Sequence, residues 1–204
     1  FPNTKATIIM KHVMLFITLC LLSLSAQGQT ESGVIAEGGI GNIKTKLNPS
    51  AAGAGGSYDV GYRYNLSLGY KLRLHAAKAS PFFYDLEAGL GVKFYDYTFG
   101  KAPGEPATVD ASAKRFSAFA TGTANYTLCK GLSIGAGIQP TWYFSQNGGN
   151  SRKFDVPVIG RIAYRFKAFE VGLSYKHGLL NSLKTDCLKS GRFREYNLSL
   201  WIPF

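Results

Sequence analysis

The chain is poor in the residues from which most catalytic and metal sites are built: of 204 residues, 3 are His, 3 Cys, 2 Trp and 2 Met, and 12 are acidic against 23 basic. No His/Cys/Asp/Glu group has metal-ligand spacing, and Cys129 and Cys187 are not spaced like such a cluster. Long apolar runs are equally scarce. Apart from Val13 to Leu24, no stretch approaches the roughly 20 residues of a membrane-spanning helix. Gly38-Gly39-x-Gly41 lacks the Lys-Ser/Thr of a phosphate loop and reads as close strand packing. The formal charge of +11 comes from Lys and Arg placed singly, without the aromatic-interleaved basic stripe that a nucleic-acid footprint needs. The Asn-x-Ser/Thr matches at Asn65, Asn125 and Asn197 fall inside strands and read as chance.

What is abundant is Gly (24), Phe (14) and Tyr (12) in a chain that is 46% hydrophobic. Dense aromatics and glycines favour strands and turns, so the class is all-β. Residues 10–28 are set apart. Met10-Lys11-His12 is a short basic start, Val13 to Leu24 an apolar core, and Ala26 and Gly28 a small-residue cleavage pattern, which together predict a signal peptide. Residues 1–9 read as an upstream extension, Cys20 as an incidental part of the apolar core, and 29–204 as the one folded domain.

Within that domain the apolar residues sort by parity. From 58 to 74 the even positions are all Tyr, Val or Leu, and the odd positions are Asp59, Gly61, Arg63, Asn65, Ser67, Gly69, Lys71 and Arg73. Side chains alternate faces along a strand, so one face is apolar and the other small or polar. The pattern recurs over 84–94, 116–128, 132–144, 154–166, 169–177 and the terminal segment. A weaker, Gly-rich alternation near 33–45 makes eight strands. Alternation over eleven to seventeen residues exceeds the usual strand of about 5–6. Connections alternate between tight turns (75–81, 129–131, 167–168) and longer ones (47–57, 100–114, 146–153, 178–191). Long strands with short turns at one end and long loops at the other predict an eight-stranded antiparallel up-and-down transmembrane β-barrel. Its place is the outer membrane of a Gram-negative bacterium, with both termini periplasmic.

In such a barrel the apolar face meets lipid and the polar face lines the interior. Parity therefore puts Arg63, Lys71, Arg73, Asp85, Glu87, Lys93, Arg115, Arg161, Arg165, Glu170, Lys176 and Glu195 inside. Eight strands leave a space that side chains fill, so these charges are expected to pair as a plug. A narrow channel through them is the competing reading. The closing strand turns Tyr196, Leu198, Leu200, Ile202 and Phe204 to lipid, with the terminal aromatic at the inner interface. Lys44, Lys46, Arg152, Lys153, Lys184, Lys189, Arg192 and Arg194 are expected at the outer rim, as a seat for lipopolysaccharide phosphates or as solvated loop charge. Cys129 falls in a tight turn and Cys187 in a long loop at the opposite end, too far apart to bridge.

Some motifs are more specific. Asp155-Val156-Pro157 followed by Tyr164-Arg165-Phe166, then Tyr175-x-x-Gly178-Leu179-x-Asn181 and Leu198-Ser199-Leu200 through Phe204, resemble segments of the outer-membrane β-barrel domain family that includes PorT-like proteins. That resemblance implies the barrel fold, recognition of the closing strand by outer-membrane assembly machinery, and an accessory part in protein export. The chain is expected to act without enzymatic activity or cofactor, as a monomer with a structural or interaction role and an export or surface protein as partner. A lipid-A-modifying acyl hydrolase is the alternative, for which His177 with Ser174 or Ser182 is the candidate pair.

Overall fold

The computed structural model describes residues 30–47, 57–77, 80–100, 108–144, 152–183 and 188–204. The segments 1–9 and 10–28, Cys187 and Lys184 lie outside the described residues.

Among the described residues ten strands follow one another: β1 (Thr30–Leu47), β2 (Ser57–His75), β3 (Phe82–Gly100), β4 (Thr108–Cys129), β5 (Leu132–Ile138), β6 (Thr141–Tyr143), β7 (Phe154–Asp155), β8 (Val158–Arg165), β9 (Glu170–His177) and β10 (Leu188–Pro203). They make eight staves, because β5 and β6 are one run broken at Gln139-Pro140, and β7 and β8 one run broken at Val156-Pro157. Proline has no N–H to give to a ladder. The two interruptions lie against each other, and carbonyls carry the pairing across: Gln139 N–H donates to Pro157 O (2.9 Å) and Ala120 N–H to Pro140 O (3.0 Å).

Every neighbouring pair is antiparallel, and β1 pairs with β10 from Gly33↔Pro203 upward, which closes the ring. The result is an eight-stranded up-and-down barrel, a solution that leaves no open sheet edge. The short turns share one end. Gly131, in the 129–132 turn, has φ of 88°, a conformation that glycine adopts without strain; its carbonyl accepts from Arg165 N–H at 2.7 Å. Thr30 pairs with Leu74 and Pro203 with Gly33, so both ends of the described chain lie there too.

The outer wall is apolar. Exposed aliphatic residues such as Leu66, Leu68, Leu90, Leu173 and Leu198 form its middle. Aromatic pairs flank them. Toward the short turns stand Phe82–Tyr126 (4.8 Å between ring centroids), Phe166–Phe169 (4.7 Å) and Tyr70–Phe204 (6.3 Å); toward the long loops stand Tyr64–Phe94 (4.5 Å), Tyr175–Tyr196 (5.0 Å) and Trp142–Phe154 (6.3 Å). On β3 the two girdles are twelve residues apart, from Phe82 to Phe94. At about 3.4 Å per residue and about 40° of tilt the two aromatic rings are roughly 31 Å apart along the axis, which brackets the apolar band of about 25 Å.

One stretch departs from parity. The β2–β3 register shifts between Tyr62 and Tyr64, a bulge in which Arg63 is the extra residue. Below it odd positions point inward, and above it even positions do. Arg63, expected inside, therefore stands on the outer surface against Asp96 with its side chain 55% exposed, whereas Val60 and Tyr62, expected at the lipid face, point inward. A bulge shifts the alternation by one residue, and nothing in the residue types of 58–64 marks where.

Candidate functional site: a closed interior and a basic outer cleft

The inward side chains stack in tiers along the barrel axis. Nearest the short turns, Lys71 Nζ lies 2.8 Å from both Asp85 and Glu170. Arg73 donates to Asp85 (2.7 and 2.9 Å) and to Glu170 (2.6 and 2.9 Å). Trp201 lies inward among these cations, with Lys71 and Arg73 each 4.5 Å and Arg165 4.7 Å from its ring centroid. In the next tier Arg161 bridges Glu87 and Glu37 (3.0 and 3.3 Å), and Lys176 bonds Glu37 at 2.5 Å. Above that, Glu195 takes Lys93 and the Tyr62 hydroxyl (2.9 Å), and Asn65 donates to Asn197 at 2.8 Å. These tiers hold five cations (Lys71, Arg73, Arg161, Lys176, Lys93) and five carboxylates (Asp85, Glu170, Glu87, Glu37, Glu195). The match fits the rule that a buried charge is tolerated when it is paired and hydrogen-bonded.

Toward the long loops the interior turns apolar, with Ile43, Val60, Tyr95, Ala113, Leu183 and Phe193 in one buried cluster against Tyr62. Beside it Arg115, 1% exposed, stacks 3.8 Å from the Tyr143 centroid and donates to the carbonyls of Ser182 (3.0 Å) and Arg152. Asp155 is fully buried and accepts from Val156 N–H (2.8 Å), Leu180 N–H (3.0 Å) and the Ser182 hydroxyl (2.8 Å). Gly178 packs so closely that a Cβ there would come 2.7 Å from Asp155 Oδ2. Asp155 and the Gly178–Asn181 segment, both singled out in the sequence, thus touch: the carboxylate holds the chain that leaves β9 inside the barrel mouth.

Of the twelve charges expected inside, the structure places Lys71, Arg73, Asp85, Glu87, Lys93, Arg161, Glu170, Lys176 and Glu195 in the tiers. Arg115 sits above them. Arg165 lies at the short-turn mouth, 2.9 Å from Glu31, and Arg63 is outside. Glu37 was missed because β1 alternates weakly, although its odd position is the available signal. Tyr62 was missed because of the bulge, and Trp201 because parity was applied only to its charged and lipid-facing neighbours. Tyr196, Leu198, Leu200, Ile202 and Phe204 are all exposed on the outer wall.

The expected rim cluster divides. Lys44, Lys46, Lys189, Arg192 and Arg194 gather with His177 and Asn181 around a cleft of about 410 Å³. Arg152 and Lys153 belong instead to the segment entering β7, where their carbonyls accept from Arg115 and from Tyr143 N–H (2.7 Å). Ser174 and Ser182 are buried inside the barrel. His177, on the outer-wall parity of β9, approaches the Tyr175 hydroxyl at 3.4 Å; the wall separates it from both serines.

No protein-family model matches the chain, and no curated protein does. Among solved structures it is similar to the outer membrane protein OprG from Pseudomonas aeruginosa, with 13% identity and a TM-score of 0.45 over 85% of this chain and 91% of that one. It is also similar to Ail, the attachment invasion locus protein of Yersinia pestis, in complex with the heparin analogue sucrose octasulfate, with 12% identity and a TM-score of 0.43 over 87% and 99%. A second Ail structure gives 14% identity and a TM-score of 0.34 over the same shares. The closure of β1 onto β10, rather than these likenesses, establishes the barrel.

Proposed function

We propose that the chain is a non-enzymatic outer-membrane barrel whose work is done by its outer surface and long loops. The distribution of polarity supports the membrane reading: charges fill the inside, and a continuous apolar wall between two aromatic girdles covers the outside. That arrangement matches lipid as the surrounding solvent and exceeds the apolar patches that soluble proteins leave exposed. A helix or a closed barrel is what satisfies backbone polar groups in lipid, and this chain is a closed barrel.

The observation that carries the function is the filled interior. Five cations paired with five carboxylates, capped by the Ile43–Phe193 cluster, enclose a void of about 30 Å³ lined by residues such as Asn65, Lys93 and Glu195, room for about two waters, and a cavity of about 200 Å³ at the short-turn mouth reaches Arg73 and Glu170 of the lowest tier. Among the described residues, the tiers and the apolar cluster stand between that mouth and the long-loop end. In planar bilayers the protein is expected to show no large, steady conductance; reproducible porin-like steps would refute this reading in favour of the channel.

The orientation completes the proposal, with the short turns and chain ends in the periplasm and the long loops outside, as such barrels insert. The PorT-like resemblance adds an accessory role in protein export. What supports it is the resemblance itself; Asp155 and the Gly178–Asn181 segment, two of the stretches that carry it, touch in the fold. Deletion in the native organism tests it: loss of a secreted protein supports export, whereas altered lipid-A acylation with normal secretion supports the hydrolase instead.

A further inference from the structure

We propose that the outward cleft at the β9–β10–β1 seam binds the phosphorylated headgroup of a lipid in the outer leaflet. The inference rests on the membrane reading above and deepens it. Lys44 stands opposite Arg192 across the β1–β10 ladder, and Arg194 opposite His177 across β10–β9, so side chains of three strands converge on one site. With Lys46 and Lys189 they bring five cations to a cleft of about 410 Å³, and its described lining contains no carboxylate. Elsewhere on the same wall the structure answers a cation with an anion, as Asp96 does for Arg63. Here Arg192 Nε reaches a neutral acceptor, Asn181 Oδ1, at 2.9 Å. The buried Nε of Arg194 makes no hydrogen bond among the described residues. Like charges held this close repel one another, and a multivalent oxyanion removes that repulsion while accepting from guanidinium and ammonium donors.

Position selects a lipid over a soluble anion. The cleft opens on the outer wall, not into the barrel mouth. Directly below it, two residues along each strand, Tyr175 and Tyr196 pack with ring centroids 5.0 Å apart in the upper aromatic girdle. Ile40 flanks Tyr196 across the β1–β10 ladder, and two residues further down Leu173 and Leu198 face each other; all three are exposed. An occupant with two or more phosphates and several acyl chains meets cations at headgroup level and apolar wall beneath. A soluble polyphosphate uses only the upper half.

The test uses the mature chain in phosphatidylcholine nanodiscs doped with bisphosphorylated lipid A, dephosphorylated lipid A or neither, with native mass spectrometry reading the retained lipid. Bisphosphorylated lipid A is expected to be retained and the dephosphorylated form lost. The triple variant Lys44→Gln/Arg192→Gln/Arg194→Gln should weaken retention at least about tenfold, given that each basic residue near an anionic membrane surface contributes measurably. Arg152→Gln/Lys153→Gln should leave it unchanged. Equal retention of the dephosphorylated lipid, an unaffected triple variant, or displacement of the lipid by an equal concentration of inositol hexakisphosphate would overturn the proposal, the last by showing a soluble-anion site. The shift in gel mobility between boiled and unboiled samples reports the barrel. If wild type lacks the shift, the membrane reading falls; a shifted, inserted barrel that retains no lipid overturns the cleft alone. Should the triple variant lose the shift, the exposed single change Lys44→Gln is read the same way.

Discussion

Replacing Glu170 by Gln keeps the shape of the lowest charge tier and removes one negative charge from it. Lys71 and Arg73 both bond that carboxylate, at 2.6–2.9 Å, and share Asp85 as their other close partner, with Glu87 a further 3.9 Å from Lys71. Wild type sets two cations against two carboxylates; the variant sets two against one, leaving a net positive charge at a site 3% exposed or less for Lys71, Asp85 and Glu170. Two unit charges about 4 Å apart interact by roughly 4 kcal/mol at an effective dielectric constant of about 20. Removing one partner of a buried pair costs about 3–5 kcal/mol, and the amide oxygen keeps part of the hydrogen bonding, so a loss of about 3 kcal/mol is expected. Urea unfolding in phospholipid vesicles, followed by fluorescence, measures it, because Trp201 lies against this tier while Trp142 reports from the outer wall. Adding Lys71→Met restores one cation to one carboxylate, Arg73 with Asp85, and should recover at least half of the loss. Raising salt should change the loss little, since buried pairs are weakly screened. A Glu170→Gln cost below about 1 kcal/mol, or a double variant no better than the single, would refute the dry, paired interior.

Two further outcomes test particular placements. Arg63→Ala should change stability by no more than about 0.5 kcal/mol, as an exposed pair allows, whereas Tyr62→Phe, which removes a hydroxyl bonded to the buried Glu195 carboxylate at 2.9 Å, should cost about 1.5–3 kcal/mol; the reverse order in the same urea titration would place the parity switch elsewhere. Cys129 is exposed in the short-turn end, so a membrane-impermeant maleimide should label it only after the outer membrane is opened. Labelling on intact cells would invert the proposed orientation.

The number of strands, their faces and the two kinds of connection were legible from the chain, because a strand in a two-sided environment must alternate with period two, and this one does so over most of its length. The closing strand shows it plainly: Tyr196, Leu198, Leu200, Ile202 and Phe204 share one parity and one face, with Glu195, Asn197 and Ser199 on the other. Nine of the twelve expected interior charges stand in the tiers for the same reason. Parity carries no information about what lies across the barrel, however. The pairing of Lys71 with Glu170, 99 residues away, or of Lys176 with Glu37, 139 residues away, follows from stagger and closure, which bring distant positions to one height. The bulge at Arg63 was hidden because a one-residue shift leaves the residue types unchanged and moves only their direction. Likewise the basic residues of 44–46 and 189–194 were visible as charge, but their convergence into one cleft, apart from Arg152 and Lys153, was set by the register of β1 on β10. Local alternation is a property of each strand and is written in its residues; register, closure and the sites they assemble are relations between strands, and only the folded barrel fixes them.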